Sequence, residues 1–372
     1  MTIVMILLTC ALALGILAEP LDGARASIAA PSSSLAASSG VAAHPLFTAS
    51  GLDTVSFATN TIGCAGGHNL ILCTRNEGTS WHATWTAPGL VSQLQFSDTQ
   101  HVWPLFRDRL LESNDGGMHW QRLQYKSRLS SIDFPSVQVG WGVTTHGRLV
   151  TTTDAGDSFT VEHTPFTVRG VSFLDSLHGW AYATNGHIAS TDDAGRTWHA
   201  RGAIGFGASW ISGDAQLTFV TATLGWLLLT LGSGCGSMMP YLLYYTADSG
   251  VHWHLRFVGP AACGGPGYPT SKHGVPGYPG NPSAVPSGRA FVSVIAPAQP
   301  MLYVVSTHDA GRHWTQGAPT GQKVSGITLA MAFVSATEDW LVTGGEATRS
   351  MKDRIIHTTD GGRTWHTQLL IH

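Results

Sequence analysis

Residues 171–198 read VSFLDSLHGWAYATNGHIASTDDAGRTW, and this stretch decides the fold. Val171 and Phe173 alternate with polar neighbours, as a half-buried strand requires. A turn leads to a second strand, Trp180-Ala181-Tyr182-Ala183. Asn185-Gly186 is the pair that a tight type I′ hairpin favours, and it hands the chain to His187-Ile188-Ala189-Ser190. The unit then turns a corner through Thr191-Asp192-Asp193-Ala194-Gly195 and begins a fourth strand at Trp198.

That corner recurs along the chain as Ser/Thr-x-Asp-x-Gly-x-x-Trp. The copies are Thr74-Asn76-Gly78-Trp81, Ser113-Asp115-Gly117-Trp120, Thr152-Asp154-Gly156-Phe159 and Thr191-Asp193-Gly195-Trp198. Three more follow: Thr246-Asp248-Gly250-Trp253, Thr307-Asp309-Gly311-Trp314 and Thr358-Asp360-Gly362-Trp365. The first three intervals between the glycines are 39 residues each; the later ones are 55, 61 and 51. A period near forty residues in a strand-rich chain means one four-stranded blade per repeat. A second signal runs in register: Phe96…Trp103, Phe134…Trp141, Phe173…Trp180, Phe219…Trp226 and Phe333…Trp340, with Phe57…Cys64 keeping the spacing. The expected fold is therefore all-β, a seven-bladed β-propeller of four-stranded antiparallel blades with Asp-box turns.

The chemistry of the corner explains its residues. An Asp side chain accepts backbone N–H groups from the residues that follow it. Glycine supplies a positive φ, and Ser or Thr adds a local hydrogen bond. The Trp buries a large apolar face against the blade. Asn76, Asp115, Asp154, Asp193, Asp248, Asp309 and Asp360 thus read as turn locks on the outer rim, not as catalytic acids. Most tryptophans are absorbed by the two repeat positions and read as core.

Composition agrees and narrows the function. Of 372 residues, 43% are hydrophobic and only 12% charged, with 44 glycines and 13 tryptophans. The formal net charge is −3, and no basic stripe exists to neutralise phosphates, so nucleic acid is not expected as a partner. Residues 3–18 form an uncharged apolar run, followed by Ala24-Arg25-Ala26. Residues 1–26 therefore read as a signal peptide or an N-terminal anchor. Ser/Ala-rich residues 27–43 read as a linker, and 44–372 as the propeller. The expected location is extracytoplasmic, secreted or membrane-anchored, with membrane proximity through the N-terminal segment.

Four cysteines follow the leader. Cys64 and Cys73 flank a hairpin and should face each other; Cys235 and Cys263 lie in the two longest insertions. The expected disulfides are Cys64–Cys73 and Cys235–Cys263. No metal-ligand spacing occurs, and no cofactor is expected. Histidines cluster beside the box aromatic, one per blade, and such ring positions do not converge on one ion.

Sialidase chemistry lacks its early Arg-Ile-Pro motif. A two-carboxylate glycosidase needs paired acids, yet nothing in sequence pairs the acids left outside the boxes: Asp53, Asp108, Glu112, Asp133, Glu162, Asp214, Glu346 and Asp353. The insertions 230–240 and 259–288 break the period, and long loops on rigid scaffolds carry binding. Met238, Met239, Tyr268 and Tyr278 are the candidate contact residues. The 171–198 unit resembles the repeat of the photosystem II assembly and stability factor family, within the wider group of BNR-like exported propellers. The resemblance spans the blade pattern from about residue 50 to 372. It implies an assembly or scaffold role that holds partner polypeptides near a membrane. The functional expectation is a non-enzymatic, protein-binding propeller. The alternative is a carbohydrate-active one, hydrolase or glycan-binding.

Overall fold

The computed structural model describes residues 51–125, 127–204, 215–230, 240–259, 277–296, 301–317, 328–344 and 353–371. The assigned leader and linker lie outside them. All regular elements among the described residues are strands, joined as antiparallel meanders. In the sheet of residues 168–203, Val168–Phe173, Gly179–Ala183, His187–Thr191 and His199–Ala203 pair in chain order. The second and third strands of a sheet are buried almost throughout, whereas His199–Ala203 is mostly exposed. The first strands of neighbouring sheets contact one another. They form the inner ring of a β-propeller, and the fourth strands form its rim.

Among the described residues six sheets are complete, not seven. The repeat of residues 91–122 appears as two separate ladders, Val91–Phe96 with Val102–Phe106, and Leu111–Glu112 with Gln121–Arg122. Isolated bridges Val102↔Ser113 and Leu105↔Leu110 link them. The physical reason is Pro104. Val102 and Ser113 exchange both backbone hydrogen bonds, and Phe106 N–H reaches the Arg109 carbonyl at 2.8 Å. Midway between them, facing Leu111 in this register, Pro104 has no N–H to donate. A second departure occurs in the sheet of residues 278–316, which has five strands. Its first strand is divided into Tyr278–Pro279 and Ser283–Ala284, both paired with Ala290–Ala296. Between the two pieces the register shifts by one residue, after Gly280 N–H has reached the Ser293 carbonyl at 2.8 Å.

The seven-residue Phe/Trp spacing acts between sheets. Trp103 stacks on Phe134 of the next sheet at 4.2 Å, Trp141 on Phe173 at 3.6 Å and Trp180 on Phe219 at 3.9 Å. Phe291 takes the Trp place in the five-stranded sheet and stacks on Phe333 of the last sheet at 3.5 Å. Each such pair adds about 0.5–1.5 kcal/mol beyond its buried area. Glycine before the Trp makes room: a Cβ at Gly140 would meet the Phe134 ring at 2.4 Å. The indoles also bond forward, Trp103 Nε1 to the Ala155 carbonyl, Trp141 to Ala194 and Trp180 to Ser249. Each acceptor is the residue just before the box glycine of the following repeat.

The seam between the last and first sheets is closed by side chains. The sheet at the C-terminus, Thr328–Phe333, Asp339–Gly344, Asp353–Thr358 and His366–Ile371, holds no strand from the start of the chain among the described residues. Trp340 stacks on Phe57 at 3.8 Å. Gly51 N–H donates to Asp353 Oδ2 at 2.7 Å.

Candidate functional site

Two ends of the propeller must be judged as sites: the end bearing the Asp-boxes and the end bearing the hairpins between second and third strands. At the box end, each Ser or Thr hydroxyl donates to the Asp or Asn two residues on, at 2.7 Å for Thr152–Asp154 and 3.0 Å for Thr307–Asp309. The same hydroxyl accepts the box glycine N–H, as from Gly195 at 2.9 Å. The Asp Oδ1 then takes the N–H of the residue four positions later, for example Thr197 at 2.8 Å. Oδ2 is held too, by Ser158, Thr197 or Thr364 hydroxyls at 2.6 Å, or by His119, His252 or His313 Nδ1 at 2.6 Å. Three of the histidines flagged beside the box aromatic therefore pair with box carboxylates.

The acid–base character follows. The Thr197 hydroxyl and N–H hold Asp193 down at about 2. Partial burial opposes the shift in Asp248 and Asp360, yet the His252 contacts and the Thr364 contacts respectively bring each to about 2. These six aspartates are ionised turn acceptors with both oxygens engaged. The turn needs two successive left-handed residues. Gly117, Gly156 and Gly195 have φ of 87°, 98° and 87°, and Ala155 and Ala194 before them have 60° and 66°. The spacing of glycines alone did not reveal that second position.

Among acids outside the boxes, Asp133 belongs to the inner ring. Its Oδ2 accepts Phe173 N–H at 2.7 Å and its Oδ1 accepts Gln95 Nε2 at 3.0 Å. Burial pushes it up to about 6. Asp339 is fully buried, accepts Ala332 N–H at 2.8 Å, and is raised well above the carboxylate range by burial. Asp133 is half-buried, whereas Asp339 is closed off from solvent. Burial raises Glu112 and Glu162 as well, and Asp108 pairs with Arg109 at 3.4 Å. Asp214 and Glu346 lie outside the described residues. Across the seam, on the hairpin end, Asp353 Oδ2 accepts the Gly51 N–H at 2.7 Å, although 302 residues separate them in the chain. His68 Nδ1 stands 3.3 Å from Asp53 Oδ2. Burial, reinforced by the Asp53 charge, raises Asp353 to about 6 against the Gly51 hydrogen bond. A carboxyl at that value can exchange a proton near neutral pH. No sequence signal links the two positions.

Elsewhere on the hairpin end, a depression of about 650 Å³ lies between the 145–148 hairpin and the 161–167 connection, lined by His146, Arg148, Glu162, His163 and Phe166. Of the four candidate contact residues, only Tyr278 is described; it is half-buried and pairs with Ile295. Met238, Met239 and Tyr268 lie outside the described residues, as do Cys235 and Cys263. Cys64 and Cys73 are disulfide-bonded, with Cα atoms 4.1 Å apart. The bridge fills the place that an indole fills in other repeats, packed against Phe96 and Trp120. Among the described residues no group of three or more His, Cys, Asp or Glu is placed to hold a metal ion. No helix among them is long and apolar enough to cross a membrane.

Comparison with known proteins places the fold. No protein-family model matches the sequence. No curated protein matches it either. Solved structures do match. YCF48 bound to D1 peptide superimposes with a TM-score of 0.54 at 13% identity, over 85% of this chain and 95% of that one. YCF48 from Cyanidioschyzon merolae gives 0.56 at 16%, over 85% and 97%. The GH74 xyloglucanase from Xanthomonas campestris gives 0.57 at 14%, over 87% of this chain but only 55% of the enzyme. Its structural neighbours are thus a photosystem II assembly factor and GH74 propellers; at these identities the shared property is the β-propeller fold.

Proposed function

We propose that this chain is a non-catalytic, extracytoplasmic propeller that binds a protein segment at its hairpin end. One observation carries the reading. The box carboxylates are committed to their own turns, Asp133 to a seam between sheets and Asp339 to its own sheet, so the acids serve the scaffold. In support, the chain covers nearly the whole of YCF48, which has been solved with a D1 peptide. It covers about half of the xyloglucanase.

In this reading the two short ladders of residues 91–122 are one blade, the seventh, interrupted at Pro104. The bridges at Val102 and Leu105 support that, as does the Trp103–Phe134 stack, which keeps the spacing of the other seams. The extracytoplasmic placement is supported by a buried disulfide, which persists in oxidising compartments. It is supported also by the apolar segment 3–18.

A carbohydrate-active reading is favoured by one feature, the Asp353 carboxyl raised to about 6 by burial on the hairpin end. The experiment that separates the two combines a panel of polysaccharides and chromogenic glycosides with photo-crosslinkers placed at His146 and at Ser158. Binding without hydrolysis, with peptide adducts at His146 and none at Ser158, is the expected result. Loss of those adducts on deleting 260–276 would extend the surface to the insertion. Turnover of xyloglucan that disappears in Asp353→Asn would replace this reading with the enzymatic one.

A further inference from the structure

The residue before each box glycine is left-handed. It is Glu77, Ala155, Ala194, Ser249 or Ala310 in five boxes, and Gly116 or Gly361 in the other two. On each of those two glycines lies an arginine from the preceding repeat. A Cβ at Gly116 would meet Arg75 Nη2 at 2.7 Å, and a Cβ at Gly361 would meet Arg289 Nη2 at 3.3 Å. The missing side chain thus makes room for a guanidinium in both places. Arg75 donates to the Asp115 carbonyl beneath it. The Arg289 guanidinium has no such acceptor among the described residues: its Nε is buried without a hydrogen-bond partner. Its Cζ stands 5.7 Å from the centre of the Phe291 ring.

Two further cationic side chains share this corner of the box end. Arg289 leads into the strand Ala290–Ala296, whose Ala290 pairs with Thr307, so its cross-strand neighbour is His308. Ala310 N–H reaches the Gly288 carbonyl at 3.2 Å and continues that pairing. Arg363 follows Gly361 and Gly362 on the box across the seam and is exposed. The carboxylates of the same two turns are engaged, Asp309 with Thr307 and His313, and Asp360 with Thr358 and Thr364. None of the ion pairs among the described residues includes Arg289, His308 or Arg363. Partial burial lowers His308 from the ordinary imidazole range, and the Arg289 and Arg363 charges lower it further, against Asp309.

We propose that Arg289, His308 and Arg363 form a binding site for a tetrahedral oxyanion, a sulfate or phosphate group, on the box end of the propeller. Arg289 brings a planar fork of donors with no acceptor of its own, and His308 and Arg363 add donors from either side of the seam. Charge-assisted hydrogen bonds to one anion would satisfy all three. A planar carboxylate matches a single guanidinium, whereas a tetrahedral group accepts from several directions at once. The site lies at the opposite end from the hairpin surface and stands apart from the protein-binding reading. An anion there replaces repulsion among cations by attraction, so His308 gains a proton on binding. By reciprocity, affinity rises as pH falls toward the His308 value of the empty site and levels off below it.

The test is titration of the full chain with sodium sulfate, against sodium chloride at matched ionic strength. The readout is the His308 ring Cε1–H signal in NMR, which His308→Gln assigns. The expected result is a saturable shift with sulfate and none with chloride. The His308 midpoint should rise by about one pH unit at saturation, the scale of a tenfold linkage. Arg289→Gln and, separately, Arg363→Gln should each weaken sulfate binding on the order of tenfold. Methyl phosphate distinguishes the sources: binding as tight as sulfate marks a group carried on an ester, and binding of sulfate alone marks the free ion. No saturable His308 shift with either anion would overturn the proposal. So would acetate binding as tightly as sulfate, or undiminished sulfate binding in the Arg289→Gln chain. Should that chain not fold, undiminished binding in Arg363→Gln, which removes an exposed side chain, overturns it equally.

Discussion

Trp340 and Gln368 lie on different strands of the last sheet, and the Gln368 amide joins the Trp340 indole to the Glu77 carbonyl of the first repeat. At Trp103, Trp141 and Trp180 the indole bonds directly to the residue before the next box glycine; here Gln368 bridges the two. Trp340 is fully buried, so removing its acceptor strands a donor, at about 1–3 kcal/mol. Gln368→Leu should lower unfolding free energy by about that amount in urea titration, with an unchanged m-value. Gly78→Ala should act alike, because its Cβ would collide with the Gln368 amide.

The left-handed alanines lead to a stabilising prediction. Ala155, Ala194 and Ala310 have φ of 60°, 66° and 61°, a region costing an L-residue about 1–2 kcal/mol. Glycine removes that strain but adds freedom to the unfolded chain. Each Ala→Gly change should net about 0.5–1 kcal/mol of stabilisation by thermal melting. Gly117→Ala should do the opposite, since its Cβ would meet both Cys64 and Cys73 sulfurs at 2.6 Å.

The disulfide closes a short loop where other repeats use an indole. Chain entropy assigns such a loop about 2–3 kcal/mol. Reduction, or the Cys64→Ala/Cys73→Ala pair, should cost that much and expose the Trp120 environment to fluorescence quenchers. Unchanged stability after verified reduction would mean that Phe96 and Trp120 hold this joint unaided.

Pro104 gives a direct test of the interrupted blade. Pro104→Val adds an N–H facing the Leu111 carbonyl. The new amide should exchange slowly, while overall stability moves by less than about 1 kcal/mol, because the gained bond is offset by lost proline rigidity. Exchange at the rate of a free peptide would separate the two ladders for good.

Opposed carboxylates shape the global pH profile. Asp133, raised to about 6 by burial, favours folding more as pH falls from 6 toward 4. Asp193, Asp248 and Asp360, held near 2, lose their contribution as pH falls from 4 toward 2. His357, lowered by burial beside Glu338, subtracts stability below about pH 6.5. Denaturation from pH 3 to 8 should therefore peak between about pH 4 and 5.5. A plateau at pH 7 to 8 as the maximum would contradict these assignments.

The sequence by itself determined the propeller class, the boxes, the turn role of their aspartates and the Cys64–Cys73 facing. Those features are local: a turn needs particular residues at fixed offsets, and a hairpin sets its own register. The tertiary structure decided which ring each Trp meets, because the seven-residue spacing within a repeat becomes a contact with the next one. It also decided the complete-sheet count, since the effect of Pro104 depends on which edge its missing N–H would have faced. It alone set Asp353 against Gly51, for closing a ring joins the two ends of the chain without leaving any periodic trace between them.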